Sequence, residues 1–396
     1  MTRLSLRQRL LMGVTLFSMF FGAGNLIFPP FTGYRAGSDA VPAFLGLIST
    51  AVLFPVLGII ATARAGGMDG LCRKVHPQFS KWFTLVIYLC IGPLLAIPRT
   101  ASMAFSMMSF ATAPAQSISL GPISAQQILA VVFSVVFFAA SRFFAQRPSH
   151  LKDILGKILT PILLLLVLVL FSAGMVLLPA ETGAPQPPYA GAPFAAGFVE
   201  GYNTMDALAA MVFGILISVN IQDFGLQEEK QLRRETGISG WLAGGVLILV
   251  YGMLAVLGAR ASAVLPEASD GSVVLSGLCS LFFGNVGAVL LAAIFLVACF
   301  NVCTGLLSSC TSYFSKEFPR LSFMAWLNVF TVSGCVISVF GLGFILQISV
   351  PILTLIYPVA LTIIVLNLFP FAFLEKPWVH RIAVIAAFAY SVISML

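Results

Sequence analysis

The apolar segments of this chain constrain its fold more than any other feature, because runs of about twenty such residues recur along the whole sequence. A helix of roughly 20 residues crosses a hydrocarbon core about 30 Å thick, and inside lipid every backbone polar group needs a partner within the chain. Hydrophobic residues make up 59% of the sequence and charged residues only 9%, whereas a soluble domain is about one quarter charged. The sequence therefore predicts an all-α polytopic membrane protein.

Eleven segments are interpreted as spans, near residues 9–35, 40–63, 82–112, 124–144, 154–178, 202–222, 238–260, 280–312, 323–344, 346–369 and 382–396. The last is expected to be an incomplete helix, because the 15 residues after Arg381 are fewer than the roughly 20 that a span requires. Either the natural C-terminus lies beyond this chain or the last helix stops part-way. The first segment is interpreted as a span and not as a signal peptide, since its apolar character continues past residue 24.

The basic residues fall on one side of the predicted membrane. Of the 21 lysines and arginines, 18 lie before the first span or in alternate loops, and the remaining three are Arg35, Arg99 and Arg260. Cytoplasmic loops of membrane proteins carry an excess of lysine and arginine, so the N-terminus is predicted to be cytoplasmic. The lysines and arginines of the cytoplasmic side therefore account for the formal net charge of +7. The charge does not require nucleic acid or an acidic substrate as a partner.

The first span is interrupted by the stretch FFGAGNLIFPPF at residues 20–31. Polar and small residues recur along this span at intervals of 3, 4 and 3, on one helical face: Thr15, Ser18, Gly22 and Asn25. Gly24 removes a further side chain, and Pro29 and Pro30 lack backbone donors, so the pattern predicts an unwound point with free carbonyl and N–H groups. Such breaks build binding sites in transporters. The same residues could instead serve close packing or a kink, and the spacing alone leaves both interpretations open.

The eighth span carries a second polar stripe with the same spacing: Asn301, Thr304, Ser308 and Thr311. Hydroxyl and amide side chains inside a span bond to neighbouring helices or supply oxygen ligands to a hard cation. The pattern is compatible with either role, and sodium is an example of such a cation.

Asp206 and Arg99 are the two charged side chains singled out by their depth in the predicted spans. Asp206 is about one turn into the sixth span, and Arg99 follows Pro98 in the third. An ionisable residue within a membrane is a functional candidate, although an acid in the first turn of a helix also suits the helix dipole. Arg99 is expected to pair with a carboxylate, a backbone carbonyl or Asp206, or to be a structural cation at a kink. Gly214, next to Phe213, is the predicted second break.

The predicted breaks lie five spans apart, in spans 1 and 6, so the two halves of the chain would have opposite orientations in the membrane. An inverted repeat with broken helices and a site at the repeat interface is a recognised transporter architecture. Residues 1–396 are therefore predicted to form one transmembrane transport domain, with one repeat near 9–178, the other near 202–369 and the incomplete last helix at 382–396.

Three motifs resemble one known family: FSMFFGAGNLIFPPF in span 1, IGPLLAIPRTA in span 3 and GYNTMDALAA in span 6. In sequence and order they are similar to the bacterial branched-chain amino acid carriers, the BrnQ or LIVCS family, and the resemblance runs from near residue 5 to near residue 380. It implies uptake of leucine, isoleucine and valine through the cytoplasmic (inner) membrane, coupled to sodium or protons. It also implies the five-plus-five inverted-repeat fold of the wider amino acid transporter superfamily.

The resemblance further implies a substrate site. The Gly-x-Gly-Asn motif of the wider fold is matched by Gly22, Ala23, Gly24 and Asn25. Backbone atoms there would hold the charged ends of the substrate, with its carboxylate at the start of the second half-helix and its ammonium near the carbonyls of Phe20 and Phe213. Arg99 and Gly214 are assigned to the same expected site.

A sodium site between spans 1 and 8 is implied by the same match. The carbonyls of Ser18 and Phe21 would face the ion, while Thr304 would supply a carbonyl and Ser308 a hydroxyl. One departure weakens this site, because Leu307 stands where the wider fold has a hydroxyl ligand.

Together these patterns predict a secondary symporter of the bacterial inner membrane that works by alternating access, with sodium as the coupling ion and no cofactor. The alternative within this class is a proton-coupled carrier that uses Asp206. The alternative from another class is a polytopic membrane enzyme, which the spans disfavour because they supply no evident set of converging catalytic side chains. The expected partners are the amino acid, sodium and the lipid bilayer, and nucleic acid is not expected.

Overall fold

Helices carry nearly all of the chain in the computed structural model, which describes residues 3–109, 119–120, 123–147, 152–369 and 376–393. The α-helices are α1 Leu6–Phe20, α2 Ala23–Ala36, α3 Ala40–Ile48, α4 Phe54–Ala65, α5 Met68–Arg73, α6 Pro77–Leu89, α7 Ala96–Ser109, α8 Ala125–Ala145, α9 Thr160–Leu177, α10 Pro193–Glu200, α11 Asp206–Gln222, α12 Glu229–Ala261, α13 Gly271–Phe283, α14 Asn285–Glu317, α15 Phe323–Ser338, α16 Leu342–Leu368 and α17 Pro377–Ile393. Short 3-10 helices cover Gly37–Asp39 and Gly201–Thr204, and π-helical segments cover Ser49–Leu53, Cys90–Leu94 and Lys152–Leu159. Two-residue strands, β1 Ser119–Leu120 and β2 Ile123–Ser124, pair antiparallel.

The described residues contain seven helices that are long and apolar enough to cross a membrane, or eight if the bent pair Pro193–Thr204 and Asp206–Gln222 is one span. One of the seven is the helical region Ala23–Ala65 of 43 residues, which at about 1.5 Å per residue is twice as long as the thickness of a bilayer core. Three shorter apolar helices, α13, α15 and α17, add to these. The eleven spans are not confirmed by this count and stay a prediction.

The first helix begins at a capping box and is fastened to α12 one turn later. The backbone N–H of Ser5 donates to Oε1 of Gln8 (2.8 Å), and the N–H of Gln8 donates to Oγ of Ser5 (3.3 Å). These bonds satisfy donors that have no partner within the helix. Arg9 then donates from Nε and Nη2 to the two carboxylate oxygens of Glu235, each over 2.6 Å. Because the Glu235 side chain is 1% exposed, this bidentate pair is largely shielded from water.

Replacing Arg9 by glutamine is expected to destabilise the protein by about 2 kcal/mol, because it leaves a buried carboxylate without its cationic partner. Thermal unfolding of the purified protein in detergent measures the change. Arg233→Gln is the matched control, since its partner Glu229 is 71% exposed and surface pairs contribute about 0–1 kcal/mol. Equal shifts in the two variants would contradict the expectation.

The interruption of the first span lies between α1 and α2, as predicted. Phe21 has ψ of 86°, and Gly22 is extended with φ of −111° and ψ of −162°. The side-chain oxygen of Asn25 accepts a hydrogen bond from the N–H of Gly22 (3.3 Å), which replaces one bond that the break removes. α2 then runs through both prolines to Ala36. The break therefore lies at the first glycine of the motif, and the prolines do not end the helix.

The second break lies at Met205 and not at Gly214. The 3-10 helix Gly201–Thr204 ends there, Met205 has φ of +66°, and the helices on either side are bent by 46°. Gly214 stays inside α11, where a Cβ would lie 3.1 Å from the Cβ of Thr62 in α4. Its missing side chain serves close helix packing, so the predicted break at Gly214 is wrong. The broken span begins at Pro193 and not at residue 202.

The half-helix after the first break is positioned by a glycine crossing between α2 and α12. A Cβ at Gly33 would lie 2.0 Å from the carbonyl oxygen of Ala255, and one at Gly258 would lie 1.9 Å from that of Pro30. Close-packed interiors have no room for such an atom, so the two backbones touch because both residues are glycine. This contact sets the distance from the first break to Tyr251, which α12 also carries.

Candidate binding site at the helix breaks

Both helix breaks face one cavity with a volume of about 50 Å³. Residues 22–25 of the first break and 204–206 of the second line it, together with Arg99 and Thr100 of α7. Most of the remaining wall is apolar: Met19, Phe20, Ile91, Ala209, Val302 and Leu306. An apolar chamber with a few convergent polar groups is the usual form of a ligand site. The volume has room for about one or two water molecules, so the chamber has to widen before an amino acid enters.

The glycines of the first break allow neighbouring helices to reach its backbone. A Cβ at Gly24 would lie 3.0 Å from Nη2 of Arg99 and 3.1 Å from the ring of Phe28. A Cβ at Gly22 would lie 2.9 Å from the side chain of Val302 in α14. Larger residues would displace these neighbours. The first N–H groups of α2, at residues 23–25, have no acceptor within their own helix, and these residues line the cavity.

Asn25 connects the two breaks. Its Nδ2 donates to Oδ2 of Asp206 (2.5 Å) and to the hydroxyl of Tyr251, and that hydroxyl donates to the same Oδ2 (3.1 Å). All three side chains are buried, with at most 2% exposed. Hydrogen bonds to a carboxylate in a low-dielectric interior are strong. The cluster therefore ties α2 to both α11 and α12.

Asp206 combines the two interpretations that the sequence left open. It is the first residue of α11, and its N–H lies 3.4 Å from Oγ1 of Thr204, which is the arrangement of a helix-start residue. The helix start is at the break in the middle of the span, however, because α10 and the 3-10 helix precede it. The residue lines the cavity, where a functional side chain would be expected.

Arg99 reaches the second break from α7. Its Nη1 donates to the carbonyl oxygen of Asn203 (3.2 Å) and lies 3.3 Å from Sδ of Met205. The guanidinium carbon lies 5.7 Å from the centre of the Phe28 ring, and Nε is buried without a hydrogen-bond partner. Of the predicted partners, the backbone carbonyl is the one found. Within the described ranges no ion pair joins Arg99 to Asp206.

The aromatic residues assigned to the substrate are placed in two layers. Phe20 lines the cavity and packs edge-on against Phe213, with ring centres 5.5 Å apart. Phe213 is fully buried behind it. In α11 the residues that reach the cavity are Asp206 and Ala209, so Phe213 and Gly214 lie outside its lining.

The residues predicted to hold sodium, through three carbonyls and the hydroxyl of Ser308, lie on α1 and α14 and at the end of α1, and these two helices pack against each other. Ser18, Thr304 and Ser308 are fully buried. The hydroxyls of Ser18 and Ser308 have no hydrogen-bond partner, whereas Thr304 donates to the carbonyl of Phe300 (2.8 Å). Unpartnered buried oxygens are rare, and hard cations bind oxygen ligands. The hydroxyl of Ser308, the side-chain ligand assigned to sodium, is therefore free to bind an ion.

Two other residues of the polar stripe on α14 also have buried polar groups without a hydrogen-bond partner. These residues are Asn301 and Thr311, while Leu307 is fully buried and supplies no ligand. Phe21, whose carbonyl is assigned to the ion, is the residue at which α1 ends. No group of three or more His, Cys, Asp or Glu side chains in the described part of the chain could hold a metal. The donors available to a cation here are neutral oxygens, which suit a monovalent ion.

Sequence reasoning missed two contributors to the site. Tyr251 is the one side chain with a hydrogen-bonding group between Trp241 and Arg260 of α12, and this isolation is the signal that could have found it. The second contributor is a kink before α7, where Gly92 has φ of −86° and ψ of −122° inside a π-helical segment. Glycine, proline and π-bulges are the usual causes of helix kinks. Ile91, which precedes the kinked residue Gly92, lines the cavity.

A second cavity of about 630 Å³ is lined in part by α11 and α14, which also line the first. On each of these two helices one face lines both cavities, with side chains at intervals of three or four residues: Ala209, Val212 and Leu216 on α11, and Leu306, Ser309 and Tyr313 on α14. Tyr88 of α6 lines the second cavity, and Ile91, three residues later in the π-helical segment, lines the first. Such intervals keep side chains on one helical face. The rings of Tyr88 and Tyr313 stack with centres 3.9 Å apart. Arg73 and Lys316 also line this larger cavity.

Sequence comparison relates the whole chain to transport proteins. A family model described as branched-chain amino acid transport protein matches residues 5–396. The chain is 37% identical over 393 residues to the branched-chain amino acid permease BraB of Bacillus subtilis (strain 168), covering 98% of this chain and 86% of the relative. It is 34% identical over 397 residues to the branched-chain amino acid transport system 2 carrier protein of Pseudomonas aeruginosa, covering 100% of this chain and 88% of the relative.

Two solved structures have a similar fold. MhsT in complex with L-phenylalanine has a TM-score of 0.64 at 16% identity, over 97% of this chain and 98% of that one. Mhp1, a nucleobase-cation-symport-1 family transporter, has a TM-score of 0.63 at 13% identity, over 98% of this chain and 91% of that one. The predicted five-plus-five inverted-repeat fold with broken helices 1 and 6 is confirmed, and the limits of the two repeats stay a prediction.

Proposed function

The chain belongs to the family of branched-chain amino acid transport proteins, and from that membership we propose that it is a sodium-coupled symporter for leucine, isoleucine and valine. It would be a multi-pass protein of the bacterial cytoplasmic membrane with its N-terminus inside. The single observation that supports transport through this chain is the cavity to which both helix breaks contribute. The relatives are named as a permease and a carrier, which favours transport over an enzymatic reaction.

The substrate in this proposal lies between the two breaks. Its carboxylate points to the start of α2, where the N–H groups of residues 23–25 lack helical acceptors and the helix dipole favours negative charge. Its ammonium points to the carbonyls that end α1 near Phe20. The branched side chain packs against Ile91, Val302 and Leu306, and burial of such a side chain contributes roughly 1.5–3 kcal/mol.

Sodium in this proposal lies between α1 and α14, on the carbonyls of Ser18, Phe21 and Thr304 and the hydroxyl of Ser308. The unpartnered hydroxyl of Ser308 supports the assignment. The ion would hold the end of α1 against α14 and so stabilise the geometry of the first break. Because the substrate binds at that same break, each ligand would strengthen the binding of the other, which is the thermodynamic form of coupling.

Release into the cell would use the larger cavity. Its basic lining residues, Arg73 and Lys316, favour a cytoplasmic location, since lysine and arginine mark the inner side of membrane proteins. The shared faces of α11 and α14, with Tyr88 and Ile91 beside them, form the path that leads there from the central cavity. The stacked rings of Tyr88 and Tyr313 lie on this path, so release requires α6 and α14 to move relative to each other.

Purified protein in proteoliposomes is expected to accumulate labelled leucine under an inward sodium gradient and not under an inward proton gradient alone. Ser308→Ala is expected to raise the sodium concentration for half-maximal uptake by about 10-fold or more, because it removes an oxygen ligand of the ion. The control is Ser333→Ala. The hydroxyl of Ser333 donates within its own helix to the carbonyl of Phe330 (3.2 Å), so its removal is expected to leave the sodium dependence unchanged.

The second candidate function is proton-coupled uptake of the same substrates, and the buried carboxylate of Asp206 in the cavity wall favours it. Leucine accumulation driven by protons without sodium would overturn the sodium assignment and make Asp206 the proton carrier. Failure of a folded protein to take up or bind leucine under either gradient would overturn the substrate class.

A further inference from the structure

Two ionisable side chains of opposite charge type, Arg99 and Asp206, line the central cavity, and the other described residues that line it carry no ionisable group. Both are buried, with exposed fractions of 6% and 2%. They line the same cavity, yet within the described ranges no ion pair joins them. A charge removed from water without a partner is strongly disfavoured. The pair therefore needs an explanation that ordinary packing does not supply.

Arg99 keeps most of its hydrogen-bonding capacity unused. A guanidinium has five N–H donors, and one oxygen acceptor, the carbonyl of Asn203, is bonded to it. Nε is buried without a partner, and Nη2 lies beside Gly24 at the start of α2. The Phe28 ring and the Asn203 carbonyl fix the position of the group. A carboxylate that approaches α2 would meet both the helix N–H groups and a pre-positioned guanidinium, the cation best suited to bidentate binding of a carboxylate.

Asp206 has hydrogen bonds but, among the residues that the structure describes, no ion pair. The donors from Asn25 and Tyr251 are neutral and both bond to Oδ2, and the hydroxyl of Thr204 is a third neutral partner. An ionised carboxylate can accept about four hydrogen bonds, so capacity remains for an ammonium group. Asn25 and Tyr251 hold the carboxyl at the second break, opposite the end of α1.

We propose that Arg99 and Asp206 recognise the zwitterion of the substrate: Arg99 binds its carboxylate, and Asp206 binds its ammonium. Asn25 and Tyr251 are positioning residues for Asp206. This inference rests on the proposed function and adds to it a charge requirement carried by side chains, beyond the backbone contacts at the helix ends. The empty pair of charges and the zwitterion complement each other, since each supplies the partner that the other lacks. The site then selects α-amino acids over analogues with one charge.

Two analogues of leucine separate the two charges. Leucinamide keeps the ammonium and lacks the carboxylate, whereas 2-hydroxy-4-methylpentanoate keeps the carboxylate and lacks the ammonium. Binding to the purified carrier is measured as the ligand-induced rise of the unfolding temperature, which does not depend on the coupling ion gradient. The wild type is expected to bind each analogue about 10- to 100-fold more weakly than leucine, since a charged hydrogen-bonded group is lost in each case.

Two substitutions are expected to give crossed results. Asp206→Asn weakens leucine binding about 10- to 100-fold but leaves the binding of the hydroxy acid unchanged, so the preference for leucine over the hydroxy acid is lost. Arg99→Gln instead abolishes the preference for leucine over leucinamide and keeps the preference over the hydroxy acid. An equal loss for all three ligands in both variants would overturn the proposal, because that is the result of a structural role alone.

Charge-keeping variants decide the question if the neutral variants do not fold. Arg99→Lys and Asp206→Glu are expected to bind leucine more weakly than the wild type but still to reject the analogue that lacks the matching charge. Loss of that rejection in a folded charge-keeping variant would overturn the proposal. Failure of this proposal can be told apart from failure of the proposed function. If the wild type takes up leucine but binds both analogues as tightly as leucine, only the charge pair is contradicted. If a folded wild type neither takes up nor binds leucine, the substrate class is contradicted.

Discussion

Replacing Asn25 by leucine is expected to lower the rate of leucine uptake by about 100-fold or more while the protein still folds. The substitution keeps the size of the side chain and removes both bonds that its amide donates, to Asp206 and to Tyr251, and the bond it accepts from Gly22. Each buried hydrogen bond to a charged group contributes about 1.5–3 kcal/mol, and a loss of about 1.4 kcal/mol is tenfold in an equilibrium constant. Initial uptake rates in proteoliposomes, at equal amounts of inserted protein, measure the effect.

Asn220→Leu is the matched control for this experiment. Asn220 is also a buried asparagine, with 1% exposed, but its amide donates to the carbonyl of Leu216 within its own helix. We expect its replacement to change uptake by less than about threefold, because a bond of this kind contributes about 1 kcal/mol or less. Similar losses of uptake in the two variants would show that any polar residue lost from the interior is harmful, and the bridge between the breaks would then have no special role.

Gly258→Ala is expected to destabilise the protein by about 3 kcal/mol or more. The new Cβ would lie 1.9 Å from the carbonyl oxygen of Pro30, and this oxygen belongs to the backbone of α2 and cannot rotate away. α2 and α12 would have to separate, which also moves Tyr251 away from the first break. Thermal unfolding in detergent, followed by far-ultraviolet circular dichroism, measures the loss of stability.

Gly245→Ala tests whether the crossing causes the effect. Gly245 lies on the same helix, and a Cβ there would meet no atom within 4 Å. Because alanine favours a helix over glycine by up to about 1 kcal/mol, this variant is expected to be as stable as the wild type or slightly more stable. A Gly258→Ala protein that unfolds at the temperature of Gly245→Ala would contradict the close approach of α2 and α12.

The first break could be predicted from the sequence because its cause is local. Gly22 and Gly24 beside Asn25 form a pattern that a continuous apolar helix does not need, and the structure interrupts the helix there. The second break could not be placed in the same way. It lies at Met205, a residue type that gives no sign of a positive φ, while the visible glycine in that span, Gly214, serves packing against α4. A local pattern of glycines predicts a helix break where glycine itself allows it. A break at a residue such as Met205 has no local pattern from which it could be predicted.

Partners in the site were also beyond sequence reasoning, because they depend on which helices meet. The depth of Arg99 in the membrane was evident from its position in an apolar segment, but its bond to the Asn203 carbonyl depends on the course of the second break. Tyr251 lies 226 residues from Asn25 along the chain. The register between α2 and α12 could not be predicted, since it is set by the backbone contact at Gly33 and Gly258.

The hydrogen bonds between Asn25, Asp206 and Tyr251 also bear on leakage through the carrier. The bond from Asn25 to Asp206 joins α2, which begins at the first break, to α11, which begins at the second, so any motion that parts the breaks must give this bond up. In the empty protein only water can replace this bond, whereas a bound zwitterion offers charged partners to the same groups. The loaded protein should therefore reorient faster than the empty one, and exchange of internal for external amino acid should be faster than net efflux.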